Sequence, residues 1–325
     1  LMEVVVDSRR DEVLAWLEGM PNFAGGELAI ASADASFRRY FRWTLKGYTY
    51  VVMDAPPDKE PCEPFVQIAE VLLRAGVRVP EILAQDLDNG FLVLSDFGDL
   101  HYQEAIEGDD RDSLYDLALG EILKLQTGLL EEAKVLPDYD EDWVRMELEI
   151  FREWCLPHFS QDEYGKVTTL LVETFLEQPR VFVHRDFHCR NLLVLPDGTP
   201  GVIDFQGALH GPLTYDPVSL LRDCYVDNDE EWIASKALTH KSGLVESGVL
   251  PGELSDEAFL RWFDFTGLQR HLKCIGIFHR LKLRDGKGSY LADVPRVLGY
   301  AKTVLSRWPE LDPLRSIVDQ AQLLV

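Results

Sequence analysis

The spacing of apolar positions changes several times along the first hundred residues. Over 9–19 (RRDEVLAWLEG), Val13, Leu14 and Leu17 share one helical face, and Gly19 closes the run. From residue 27 the pattern turns β-like. ELAIAS at 27–32 and FRRYFRWTL at 37–45 flank the small-residue turn ADAS, and Lys46-Gly47 leads into a third strand, YTYVVMD at 48–54. After the Pro-rich APPDKEPCEP, a helix is expected over 64–75, with Phe65, Ile68, Ala69, Leu72 and Leu73 in one stripe and Gly76 behind it. EILAQD and FLVLSD follow, joined by the hairpin signal Asp88-Asn89-Gly90. From residue 100 helical periodicity dominates, over 110–131, 141–155, 162–177, 214–225, 229–246, 254–283, 290–306 and 310–324. A strand-rich island at 180–205 interrupts it. The pattern predicts an α+β chain: a small β-rich lobe over 1–96, then a larger, mainly helical lobe over 97–325, meeting through Leu94–Asp99.

Composition narrows the class. The 325 residues include 32 basic and 56 acidic side chains, a net charge of −24. That balance argues against a nucleic-acid binder, which needs clustered Lys and Arg, and against an anionic bilayer surface. No apolar run approaches the roughly 20 residues of a membrane span. Apolar content of 46% and aromatic content of 10% supply a core and exclude general disorder. The five cysteines (Cys62, Cys155, Cys189, Cys224, Cys274) form no C-x-x-C pair, so neither a disulfide framework nor a zinc site is expected. The start LMEVVVDSRRDEVL has too short an apolar stretch for a signal-peptide core. The expectation is a cytoplasmic monomer.

The island carries the chemistry: VFVHRDFHCRNLLVLPDGTPGVIDFQG. A strand at 181–183 ends in His184-Arg185-Asp186-Phe187-His188-Cys189-Arg190-Asn191, and a hairpin then delivers Asp204. Two carboxylates and one amide from neighbouring chain ends suit magnesium-assisted phosphoryl transfer: one acid beside an acceptor hydroxyl, the other groups on a hard cation. HRDFHCRN with the downstream IDF resembles the H-x-D-x-H-x-x-N signature of the aminoglycoside phosphotransferase/choline kinase superfamily, and more distantly the protein-kinase catalytic set. That resemblance implies a protein-kinase-like two-lobed fold using ATP and Mg2+. Asp186 is then the catalytic base, Asn191 and Asp204 the metal ligands, and His184, His188 and Asp216 structural residues of the loop. Only FQGALHGPLTY separates Asp204 from Asp216-Pro217, which leaves no activation segment for a peptide and points to a small-molecule acceptor.

With no Walker A loop or G-x-G-x-x-G run, the nucleotide turn is expected at Ser32, Ala33, Asp34, Ala35 and Ser36, with Leu94 and Asp96 also on the nucleotide side. The third strand offers Met53 where a kinase has its phosphate-binding Lys; Arg38, Arg39 or Arg42 could supply that charge, and Glu60, Glu63 or Glu70 could take the helix-C glutamate role. DASFRRYFRW, VVMDAPPDKEPCEPF, LVLSDFGD, DFQGALHGPLTYDPVSLLRDCY and QRHLKCIGIFHRL together resemble the bacterial anomeric sugar kinases of cell-wall recycling, Met53 included. The resemblance implies an amino-sugar acceptor, N-acetylmuramate or N-acetylglucosamine, phosphorylated on its C1 hydroxyl. Gln206, His210, Tyr215, Arg222 and Asp223 are candidate sugar contacts, and Arg270, His271 or Lys273 would favour the lactyl carboxylate of N-acetylmuramate. The alternatives are an aminoglycoside or choline/ethanolamine-type O-phosphotransferase and, from another class, an inactive nucleotide-sensing module. The intact Asp186, Asn191 and Asp204 argue against the last.

Overall fold

The structure, a computed structural model, describes residues 7–33 and 37–324. Helix α1 (Ser8–Glu18) starts where the Asp7 side chain accepts Arg10 N–H, and buries Val13 and Leu17. Five antiparallel strands follow, β1 (Glu27–Ala33), β2 (Arg39–Leu45), β3 (Tyr48–Asp54), β4 (Ile82–Asp86) and β5 (Phe91–Ser95), in the order β1-β2-β3-β5-β4. Period-two alternation sorts the two sheet faces. Phe41, Trp43, Val52 and Val93 pack with α1 on one face, whereas Met53, Leu92 and Leu94 join α2 (Glu63–Arg74) and the helical part on the other. The β4–β5 turn requires glycine: Gly90 has φ 75°, and a Cβ there would stand 1.8 Å from Ala55 O.

The helical part contains α3 (Tyr102–Ala105), α4 (Arg111–Gly128), α5 (Leu130–Ala133), α6 (Glu141–Cys155) and α7 (Gln161–Leu176). It continues with α8 (Tyr215–Leu221), α9 (Glu230–Glu246), α10 (Asp256–Asp285), α11 (Val294–Arg307) and α12 (Asp312–Val318). The island folds as β6 (Arg180–Val183), β7 (Leu192–Val194), β8 (Pro200–Val202) and β9 (Leu209–Pro212), paired β6–β9 and β7–β8. The thirty-residue α10 is the axis, and it crosses α6 so closely that a Cβ on Gly276 would lie 2.7 Å from Phe151 N. Among the described residues, no helix is long and apolar enough to cross a membrane.

The α+β expectation holds; several boundaries differ. The helix expected over 110–131 breaks at Leu129, whose φ of −123° leaves α geometry. The one expected over 214–225 stops at Leu221, because the chain turns so that Asp223 can accept two backbone N–H groups, those of Cys189 and Tyr225. Strand β9 had no sequence signal of its own: it forms because Val181 and Phe182 find Gly211 and His210 across the register.

Candidate active site

The polar run after β6 is shaped by carboxylates beneath it. Asp216, wholly buried at the start of α8, accepts His184 N–H at 2.7 Å and Arg185 N–H at 2.9 Å. Burial pushes its carboxyl up to about 7, and those two donors act against that shift. Asp223 takes Cys189 N–H at 2.8 Å, so two acids from one short stretch fix both halves of the loop. His184 is also buried: its Nε2 lies 3.1 Å from Ile203 O and its Nδ1 3.3 Å from Asp186 N. The neutral tautomer protonated on Nε2 satisfies both bonds, and burial lowers the imidazole to about 4. Among the described residues, two of the three non-glycine residues with positive φ lie here, Arg185 at 81° and Asp204 at 64°. Such backbone persists only where its surroundings over-determine it.

Asp186 sits in a positive surround. Burial alone would raise its carboxyl, but Lys273, His188, Arg185 and Arg270 outweigh it and hold the group below the usual carboxylate range. Asp186 is therefore ionised at neutral pH and able to accept a proton. Lys273 and Arg185 are themselves anchored on buried Glu147, at 3.3 and 3.1 Å, and Lys273 also donates to Tyr215 OH at 2.7 Å. Tyr139 OH and Gln269 Nε2 complete the shell of Glu147.

Asn191 and Asp204 come together as anticipated from their positions at the two ends of the hairpin. Asn191 Nδ2 donates to Asp186 O at 2.9 Å and to Asp204 Oδ2 at 3.3 Å, while Gln206 Nε2 reaches Asp204 Oδ1 at 2.6 Å. Gln206 Oε1 is buried with no hydrogen-bond partner among the described residues. The donor set is thus one carboxylate and two amide groups, all hard oxygen. It fits magnesium, which takes few protein ligands and completes its shell with phosphate and water. Among the described residues no group of three or more His, Cys, Asp or Glu competes as a metal site.

The three arginines in and just before β2 meet different acids. Arg39 shares the α1 side with Phe41; it bonds Asp54 and Asp7, and Asp54 also holds Arg9. Arg42 is gripped by Asp96, at 2.7 Å, and by Asp99, where the sheet joins the helical part. Arg38 faces α2, with its Nε 3.1 Å from Glu60. Met53 is fully buried, so the third strand presents no cation at that position. Leu94 is buried in β5, and Asp96, besides holding Arg42, accepts Gly98 N–H. Of the expected nucleotide turn, Ser32 and Ala33 end β1; Asp34, Ala35 and Ser36 lie outside the described residues.

The remaining candidates scatter. Arg222 is buried between Asp264 and Glu230, and its carbonyl oxygen pairs with His271 Nε2. His210 stands on β9 against Asp138. Tyr215, Arg270 and Lys273 gather beside Asp186, within its electrostatic reach or that of its Glu147 anchor. His188 packs edge-on against Tyr225, over which Arg190 lies at 3.4 Å from the ring centroid. Glu147, Arg185 and Tyr225 escaped the sequence reading. Glu147 looks like any polar helix residue until α10 crosses α6.

A braced loop with an ionised Asp186, next to an Asn191/Asp204 pair, is an arrangement suited to phosphoryl transfer. Residues 27–241 match the phosphotransferase enzyme family, and the chain belongs to that family. The N-acetylmuramate/N-acetylglucosamine kinase of Pseudomonas aeruginosa is 44% identical over 330 residues, with 96% of each chain covered. That of Pseudomonas putida is 40% identical over 334 residues, with 97% of each covered. A choline kinase from Streptococcus pneumoniae has the same fold, with a TM-score of 0.62 at 12% identity, over 91% of this chain and 99% of its own.

Proposed function

We propose that this chain uses ATP to phosphorylate N-acetylmuramate and N-acetylglucosamine on the anomeric C1 hydroxyl, as a step of peptidoglycan recycling in the cytoplasm. The convergence of Asp186, Asn191 and Asp204 on one braced loop carries the reading, and the near-full-length likeness to kinases of these two sugars supports the acceptor. Asp186 takes the hydroxyl proton as the new O–P bond forms and the bond to the β–γ bridging oxygen breaks, leaving the sugar 1-phosphate and ADP. A C1 hydroxyl is more acidic than an ordinary alcohol, so a carboxylate held in its ionised form is base enough. Asn191 and Asp204, with Gln206 beside them, would hold magnesium, which neutralises charge on the triphosphate oxygens when bound. Arg38, on the α2 side of the sheet and oriented by Glu60, supplies the positive charge that a kinase draws from its third strand.

An ATP-consumption assay over both free sugars, their 1-O-methyl glycosides, choline and kanamycin tests this. Turnover is expected for the two free sugars alone, abolished by EDTA and reduced roughly 10²–10⁴-fold by Asp186→Asn. Phosphorylation of a methyl glycoside would remove the anomeric assignment, and turnover of choline or kanamycin in place of the sugars would remove the acceptor class.

A further inference from the structure

Four cationic side chains are buried among the described residues: Arg222, Lys241, Arg270 and Lys273. Arg222 pairs with Asp264 and Glu230, Lys241 with Asp256, and Lys273 with Glu147. Arg270, 3% exposed in the middle of α10, makes no ion pair among the described residues. Its hydrogen bond runs from Nη1 to Cys224 Sγ at 3.3 Å, and Cys224 is in turn hydrogen-bonded to Cys274. Burial works against its charge and the nearby Cys224, Cys274, Tyr215 and Asp223 favour it, yet no carboxylate of the described residues stands in direct contact with the guanidinium. The other cations near Asp186 are already matched: Lys273 and Arg185 share Glu147. Arg270 lies within electrostatic reach of Asp186, Asp216 and His188, and Asp186, His188, Tyr225 and Cys274 are partly exposed. A ligand approaching Asp186 can therefore come near a guanidinium whose fork no carboxylate of the described residues occupies.

The two sugars of the proposed reaction differ by one group, a lactyl ether whose carboxylate is ionised at neutral pH. We propose that Arg270 is the specificity-determining residue that receives this carboxylate, so that the chain reads N-acetylmuramate by charge and N-acetylglucosamine without it. This rests on the sugar-kinase reading above. An arginine suits the task better than a lysine, since its planar fork matches a carboxylate through two parallel hydrogen bonds.

The test is a cycle that alters protein and ligand in turn. Kinetic constants and calorimetric affinities are measured for wild type, Arg270→Gln and Arg270→Lys with N-acetylmuramate, its methyl ester and N-acetylglucosamine. Wild type is expected to prefer the acid to its ester by roughly 100-fold in kcat/KM, mostly through KM. Arg270→Gln should erase that preference and move the ratio of the two sugars by a similar factor towards N-acetylglucosamine. Arg270→Lys should keep part of it. A wild type indifferent to esterification overturns the inference without any variant having to fold. Equal losses on both sugars in Arg270→Gln also overturn it, placing Arg270 on a part the sugars share. A wild type that binds and turns over neither sugar instead refutes the kinase reading, and the inference falls with it.

Discussion

At the residue scale, function is separated from support by which carboxylate each cation meets. Arg38 and Arg39 are adjacent in sequence, yet Arg39, the first residue of β2, is held by Asp54 and Asp7 on the α1 side, whereas Arg38, just before the strand, meets Glu60 in the turn ahead of α2. Arg38→Ala should lower kcat/KM for ATP by roughly 10–100-fold, about the worth of one or two hydrogen bonds to a charged group. Arg39→Ala should lower the melting temperature more than it lowers that constant, although Arg9 still covers Asp54. Steady-state kinetics and thermal unfolding of the two variants decide it; the opposite assignment of effects would return the phosphate role to Arg39. The same logic explains why Arg222, a sugar-contact candidate by sequence, lies between Asp264 and Glu230. A buried arginine goes where its desolvation is matched, and neither acid is near it in sequence.

At the element scale, the site depends on how α10 crosses α6. Glu147 comes from α6, while Gln269 and Lys273 come from α10, so the acid and the side chains it holds meet only if the helices are close. Gly276 permits that approach, with Phe151 backbone atoms 2.7–2.8 Å from where a Cβ would stand. Gly276→Val should cost about 1–3 kcal/mol or more through overpacking against backbone that cannot rotate away. A drop in melting temperature with a parallel loss of turnover is the expected result, and an unchanged melting temperature would show that the crossing is not tight. The smaller strands are similarly interdependent: β6 is a strand because β9 pairs with it, and β9, with Gly211 and Pro212, has little propensity of its own.

For the whole molecule, the net charge of −24 is distributed over the surface and does not describe the pocket, where Arg185, Arg270 and Lys273 surround Asp186. Three histidines give the fold a distinct acid response. Burial lowers His184 and His240 to about 4 and His271 to about 3, from an ordinary value of 6.5. Between these limits the unfolded chain binds protons that the folded one does not, so stability falls as pH drops from about 6.5 towards 4. Each histidine contributes at most about 1.4 kcal/mol per pH unit in that window; Asp216, pushed up to about 7, opposes them by the share of one group, and exposed carboxylates titrate mostly below it. Thermal unfolding from pH 7 to 4.5 should show this decline, shallower in His271→Gln; equal slopes in variant and wild type would mean that His271 is already charged when folded.

Local pattern was enough to define the five strands of the first hundred residues, most of the helices, the turn glycines and the H-x-D-x-x-x-x-N loop with its downstream Asp204, because each depends on residues within one or two turns of chain. Asp216 was legible for the same reason, standing just beyond FQGALHGPLTY. The partners of each charge were not legible. Glu147 beneath Lys273 and Arg185, Asp223 beneath Cys189, and Arg270 with no ion pair among the described residues all depend on segments more than thirty residues apart in sequence packing against one another. Ion pairing is decided by distance through space and by desolvation. Sequence spacing constrains neither until the core has closed.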